Sequence, residues 1–201
     1  MINKPQTLIV FGRSGCGKGT QLKLIKEYFD KEDQNRKQFA FSTGDGFREF
    51  FNKKTYASNI AKIITEQGKL QPLFLTISLW GNAFLNNLEA DDHLFIDGYP
   101  RRQEEAIAVD SAMKFFNREN VIIINFIVSR ETSKKRMLER GRYDDTEENA
   151  ETRLNWYDKD VMPAIDYMKK EPGYTYIEID GEGGIEKIFE EIITKIKPYL
   201  S

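Results

Sequence analysis

The feature that most limits what this chain can become is a glycine-rich turn near its start. An apolar run at 8–11 leads into Gly12-Arg13-Ser14-Gly15-Cys16-Gly17-Lys18-Gly19-Thr20, and a helical stripe of Leu22, Ile25 and Phe29 follows. Glycines let a backbone fold with its N–H groups pointing inward around an anion. The start of the helix adds partial positive charge, and Lys18 is long enough to reach outer phosphates. The strict form of such a loop has Ser or Thr directly after the lysine. Here Gly19 intervenes, and Thr20 supplies the hydroxyl that can stand near Mg2+.

The remaining pattern agrees with a parallel sheet. Short β-branched and aromatic runs at 7–11, 39–42, 93–96, 121–128 and 174–179 alternate with longer stretches of helical spacing, the signature of βαβ units. The runs are continuously apolar, as expected of strands covered by helices on both faces. Ala150, Leu154, Tyr157, Val161, Ile165 and Met168 form one helical stripe, which Pro163 should bend or divide. Residues 44–72 are polar and helical and fit no sheet crossover, so they read as an excursion from the core. With 201 residues and 40% apolar side chains, the chain can bury one substantial core.

Charge and cysteine content exclude several roles. Thirty Lys and Arg against thirty-two Asp and Glu give a net charge of −2, the wrong balance for non-specific binding to nucleic acid or an anionic membrane. The single cysteine, Cys16, permits no intramolecular disulfide and no multi-cysteine zinc site. The longest apolar stretch, 121–128, is far too short to span a bilayer. A soluble cytoplasmic protein, with neither nucleic acid nor membrane as partner, is the expectation.

A second group of residues points to a second ligand. Asp97 falls at the C-terminal end of a strand, where open α/β sheets place their ligands and where a carboxylate can orient the water shell of Mg2+. Arg48, Arg101, Arg140, Arg142 and Arg153 come at loop ends and not as a solvated helix face, where lysine would be interspersed with glutamate at i,i+4 spacing. Several guanidiniums beside one phosphate loop imply more negative charge than one triphosphate supplies. Two phosphorylated ligands in one cleft would supply it. Asp145 with Glu148 three residues on reads as a helix start capped by the aspartate. His93, the only histidine, reads as structural or surface, and Cys16 as a small filler within the loop.

Taken in order, these motifs resemble the nucleoside monophosphate kinases, adenylate kinases most closely. The resemblance rests on Gly17-Lys18-Gly19-Thr20-Gln21, Ser42-Thr43-Gly44-Asp45 with Arg48, Gly68-Lys69-Leu70 and Asp97-Gly98-Tyr99-Pro100-Arg101. Further along it includes Arg136 with Arg140, Arg142-Tyr143-Asp144-Asp145, Arg153-Leu154 with Tyr157, and Asp180-Gly181. It implies a single-domain, three-layer α/β fold of the P-loop NTPase type around a five-stranded parallel sheet. The core would comprise 1–42, 73–139 and 147–201, with an acceptor-binding insert at 43–72 and a lid at 140–146.

By the same resemblance the chain transfers a phosphoryl group reversibly from ATP to AMP, giving two ADP, with Mg2+ and no zinc, as a monomer. Lys18 and the backbone of Gly15, Cys16, Gly17, Gly19 and Thr20 would hold the donor phosphates, with Arg136 and Gly181 at the donor base. Arg48 and Arg101 would hold the acceptor phosphate, and Thr43, Leu70, Gly98 and Glu105 would border the acceptor, together with Arg142 and Arg153. Arg140, Arg142 and Arg153 would close over the group in transfer, and Mg2+ would be held through water near Thr20 and Asp97. A cis Tyr99–Pro100 bond is also implied. Lid closure is a known property of adenylate kinases themselves and is inherited with the resemblance.

The chain departs from that pattern at four places. Ser14 replaces a common proline. Gly46 replaces a Met or Leu, which would remove an apolar wall near the acceptor base. Glu105 stands where adenylate kinases carry a glutamine that reads adenine, and a carboxylate cannot donate to adenine N1 unless protonated. Arg140 and Arg142 are separated by one glycine, a lid shorter than in short-lid members. These departures keep two alternatives open: another acceptor such as CMP, UMP or a deoxynucleotide, or a nucleotide-binding module with little turnover.

Overall fold

A computed structural model describes residues 2–200. Its strands are β1 (Thr7–Gly12), β2 (Gln38–Ser42), β3 (His93–Asp97), β4 (Val121–Ile127) and β5 (Tyr174–Asp180). All pair in parallel, in the order β2-β3-β1-β4-β5. Between them run α1 (Lys18–Glu32), α2 (Thr43–Phe51), α3 (Tyr56–Glu66), α4 (Leu73–Asn87), α5 (Gln103–Phe115), α6 (Arg130–Arg140), α7 (Glu147–Trp156), α8 (Met162–Met168) and α9 (Ile185–Ile196). Each expected strand is present, with its ends displaced by at most one residue.

Alternation along the strands sends side chains to two separate cores. Leu8, Val10, Phe95, Ile122 and Ile124 pack against Leu22, Ile25 and Phe29 of α1 and Ile188, Ile192 and Ile196 of α9. Ile9, Phe11, Ile96 and Ile123 face the other way, onto Trp80, Phe84, Val109, Met113, Ile165 and Met168. The three inner strands are therefore apolar at nearly every position, and each fully buried Leu, Ile or Phe contributes about 1.5–3 kcal/mol. The edge strands β2 and β5 keep partly exposed positions. The exit from β1 leads to β2 on one side of the sheet, whereas the exit from β3 leads past β1 to β4 on the other. Their C-terminal ends, side by side through Val10 opposite Asp97, form the switch point at which such sheets open a crevice.

Two local features follow from sequence. Pro163 lies in the first turn of α8, where a missing N–H costs nothing, and a π-helical turn (Tyr157–Val161) separates it from α7. The apolar stripe is thus divided as expected. The start of α7 corrects the expected cap: Thr146, not Asp145, accepts the N–H of Asn149. Asp145 is taken by arginines instead. The Tyr99–Pro100 bond is cis.

Candidate active site

The glycine-rich loop leaves β1 and enters α1 through three glycines with left-handed φ, Gly12 at 149°, Gly15 at 84° and Gly17 at 92°. Two of them are also sterically required. A Cβ on Gly12 would stand 2.6 Å from Cys16 Sγ, and one on Gly15 would stand 2.3 Å from the Ser133 carbonyl oxygen of α6. Cys16 is buried beneath the loop, which gives it the filler role read from sequence. Lys18 arches back, its Nζ donating to the carbonyls of Gly12 at 3.3 Å and Arg13 at 3.4 Å. Thr20 is exposed on the first turn of the helix.

Beside this loop lies a cleft of about 680 Å3. Lys18, Arg48, Arg101, Arg140, Arg142 and Arg153 all line it, as do Thr43, Asp97 and Gly98. Nine Lys and Arg against five Asp and Glu border the cleft, in a chain whose net charge is −2, so positive charge is concentrated here. Arg48 pairs with Asp45. Arg140 forks onto Asp145 through Nε at 2.9 Å and Nη2 at 2.8 Å, and Arg153 donates to Asp145 Oδ1 at 2.8 Å and to Asp144.

Arg101 and Arg142 carry no ion pair among the described residues. Arg101 Nε donates to the Gly98 carbonyl at 2.7 Å, and its guanidinium lies over Trp156, 5.3 Å from the ring centroid. Arg142 gives only its backbone N–H to Asp145, at 3.2 Å. Burial pulls both guanidinium pKa values down, and for Arg142 the neighbouring Arg140 and Arg48 add to the effect. Cations held this way gain when a phosphate enters, because neither guanidinium is in an ion pair among the described residues.

The other expected site residues fall into three places. Gly98, at φ 69°, accepts the Thr43 hydroxyl at 2.9 Å through its carbonyl, which ties the start of α2 to the end of β3. Arg136 does not line the cleft and donates to the Gly181 carbonyl at 2.9 Å. Gly181 admits no side chain, since a Cβ there would stand 2.5 Å from Val128 Cγ2. Leu70 borders a second, shallower hollow of about 380 Å3 with Lys69, Arg102 and Trp156, and is not part of the cleft lining.

Glu105 is placed differently from a base reader. It is 1% exposed, lies at the third position of α5 and does not line the cleft. Its Oε2 accepts the Arg101 N–H at 2.7 Å, and its Oε1 stands 3.5 Å from Arg102 Nη1. Burial raises its pKa, against the pull of Arg101 and Arg102. Gly46 also differs from expectation. A Cβ on it would lie 3.1 Å from Leu79 Cδ2, so Leu79 of α4 already fills the side where an apolar wall seemed to be missing.

Several residues of the site were not anticipated. Trp156 lines the cleft and donates Nε1–H to the Gly68 carbonyl at 3.0 Å. Asn149 Nδ2 bridges the carbonyls of Glu66 and Asp144, each at 3.0 Å. Gly68, at φ 66°, permits this approach, because a Cβ would stand 3.0 Å from Asn149 Oδ1. The paired acids after Arg142 were the available signal for Asp144 and Asp145, whereas nothing local marks Trp156. His93 is structural: buried on β3, it accepts the Gln6 N–H through Nδ1 at 3.1 Å and meets Asp33 through Nε2 at 3.2 Å.

Mg2+ prefers oxygen ligands and keeps much of its water. Asp97 Oδ1 is a buried oxygen at the cleft with no hydrogen-bond partner, and Thr20 offers an exposed hydroxyl on the adjacent helix start. Among the described residues no three His, Cys, Asp or Glu side chains gather to cage an ion. Water and phosphate oxygens would therefore complete such a shell; the unpartnered Asp97 oxygen fits that arrangement, whereas Thr20, on the first turn of α1, is not among the residues that line the cleft.

A phosphate loop at the switch point of a parallel sheet, with a cluster of arginines facing it, defines a nucleotide-dependent phosphotransferase of the P-loop α/β class. The adenylate kinase family model matches residues 10–172, and the chain belongs to that family, the ATP:AMP phosphotransferases among the nucleoside monophosphate kinases. It is 33% identical over 183 residues to an adenylate kinase of Corynebacterium urealyticum, covering 91% of this chain and 94% of the relative. It is 31% identical over 191 residues to one of Azobacteroides pseudotrichonymphae (93% and 95% covered) and 30% identical over 194 residues to one of Phocaeicola vulgatus (94% and 97%).

Proposed function

We propose that this chain transfers the γ-phosphoryl group of ATP to AMP and back, with Mg2+, in the cleft between the phosphate loop and the arginine cluster. The observation that carries the reading is the convergence of Lys18 and five arginines on one cleft beside the loop. Lys18 and the loop backbone from Gly15 to Thr20 bind the donor phosphates, and Arg136 with Gly181 borders the donor base. Arg48 and Arg101 bind the acceptor phosphate. Arg140, Arg142 and Arg153 surround the group in flight. The α2 and α3 excursion serves as the acceptor insert, and residues 140–146 serve as the lid.

An acceptor phosphate oxygen is already anionic, so in-line attack on the γ-phosphorus requires no general base. It requires alignment and neutralisation of charge on the transferring group, which fixed guanidiniums supply. Mg2+, held through water by Asp97 and Thr20, would neutralise donor phosphate oxygens. The arginines do the rest: two orient the acceptor, and three meet the equatorial oxygens as the bond to the leaving oxygen lengthens. Arg101 and Arg142 have the most to gain, because neither has a carboxylate to give up.

A monomer in the cytoplasm belongs to the same reading, carried over from the resemblance to the family; among the described residues no helix is long and apolar enough to cross a membrane. Incubation with ATP, Mg2+ and each nucleoside monophosphate in turn tests the proposal. ADP from ATP and AMP, well ahead of diphosphate from CMP, UMP or dAMP, is the expected result. No diphosphate from any acceptor would overturn the reading.

A further inference from the structure

The phosphate loop has three glycines with left-handed backbone, and one long side chain ties it to β4 and to the helix that follows the lid segment. Arg13 Nη1 donates to the carbonyl of Val128, the residue just after β4, at 2.9 Å, and Nη2 donates to Asp158 Oδ1 at 2.6 Å. The guanidinium also lies 5.1 Å from the Tyr157 ring centroid. The carbonyl of the same residue accepts the Cys16 N–H at 3.1 Å and Lys18 Nζ at 3.4 Å. The position of Arg13 therefore sets both the turn of the loop and the resting place of its lysine.

Asp158 divides its carboxylate. While Oδ1 serves Arg13, Oδ2 accepts from Arg130 Nη1 at 2.6 Å. Arg130 then continues onto α7, through Nη2 to Asn155 Oδ1 at 2.9 Å and Glu151 Oε2 at 3.2 Å. Asp158 belongs to the π-helical turn that extends α7, and such turns recur at functional sites. A single surface ion pair contributes little. Here one carboxylate joins two guanidiniums from separate elements, and one of these is also held by a carbonyl and an aromatic ring.

We propose that Asp158 is a positioning residue for the donor phosphates, acting through Arg13 to fix the phosphate loop against the helix that carries Arg153. The proposal rests on the loop being the ATP cradle and deepens that reading. Without the carboxylate, Arg13 loses its charged anchor and the glycine-rich backbone samples more conformations, so fewer molecules present aligned N–H groups. Neither Arg13 nor Asp158 lines the cleft that holds Arg48 and Arg101, so the acceptor half is spared.

Calorimetric titration of the full chain with MgATP and, separately, with AMP tests this. Asp158→Asn and Arg13→Gln should each raise the Kd for ATP by about tenfold, as expected for loss of a charge-assisted hydrogen bond, with the Kd for AMP unchanged. The double variant should lose no more than the more affected single one, because both remove the Arg13–Asp158 link. Asp158→Glu, which keeps the charge, should bind ATP nearly as the natural chain does. Unaltered ATP affinity in both single variants, additive losses in the double, or equal weakening of AMP would overturn the proposal. Binding is read here without turnover. Failure to make ADP would strike the phosphotransfer reading alone, whereas normal ADP formation with unaltered ATP affinity in the variants would strike this one alone.

Discussion

Arg101 is fixed by three neighbours of different kinds: the Gly98 carbonyl, the face of Trp156, and Glu105, which grips its backbone N–H. Removing the guanidinium by Arg101→Ala should lower kcat by about 10³-fold, in line with other arginines that stabilise a transferring phosphoryl group. A loss below tenfold in steady-state assays would remove Arg101 from the acceptor site. Glu105→Gln keeps an oxygen for the Arg101 N–H, and the side chain is shut behind the cleft. The ratio of kcat/KM for AMP to that for CMP should therefore stay within about twofold of the natural chain's. A larger shift would mean that the carboxylate reaches the base after all.

His93 gives a pH dependence whose sign can be worked out. Burial lowers its pKa despite the attraction of Asp33, while Arg36 and Arg118 add to the lowering. The unfolded chain takes up the proton below about pH 6.5, whereas the folded chain resists it, so stability is constant above that pH and falls on acidification below it. Asp33, held by Arg36 and the Asn35 N–H, has its own pKa lowered and adds a further loss in more acidic solution. Urea midpoints at pH 7.5 and 5.5 should therefore diverge in the natural chain, and His93→Gln should narrow the gap.

At the scale of elements, the segment from Arg140 to Thr146 is short but well tied. Asp145 holds Arg140 and Arg153 together, and Asn149 links the segment to the Glu66 carbonyl. On the proposal that residues 140–146 serve as the lid, so brief a lid would exclude water less well, and water would then compete with the acceptor. ATP hydrolysis in the absence of AMP should thus be a larger fraction of total turnover than in a relative with a longer lid. An undetectable AMP-independent rate would refute this. Gly46→Met should destabilise the chain by about 1–3 kcal/mol, the usual cost of overpacking, because Leu79 already occupies the place the new side chain needs. Thermal unfolding would show it.

What the sequence disclosed at this scale, and what it hid, has a physical logic. The β1 run and the loop after it are local chemistry: backbone angles that only glycine favours, followed by a helix start. The same holds for Pro163, whose effect reaches one turn. Glu105 and Gly46 are different, because their roles depend on Arg101 and on Leu79, brought near by the fold. Asp145 illustrates the competition between the two. Its position suited a helix cap, but two guanidiniums from α6 and α7 outbid the backbone, and Thr146 became the cap.

Across the whole molecule, the uneven distribution of charge matters more than its sum. A cleft bordered by a surplus of cations, on a chain that is slightly acidic in total, attracts anions locally without attracting polyanions everywhere. The carboxylates of Asp144 and Asp145 meanwhile sit in the guanidinium forks of Arg140 and Arg153, where a phosphoryl group would also sit. On the proposed roles of Arg140 and Arg153, substrate capture would be an exchange of one anion for another, a trade between internal and external counterions. Such a trade would ease release of product as well as entry of substrate, which suits a reaction run in both directions.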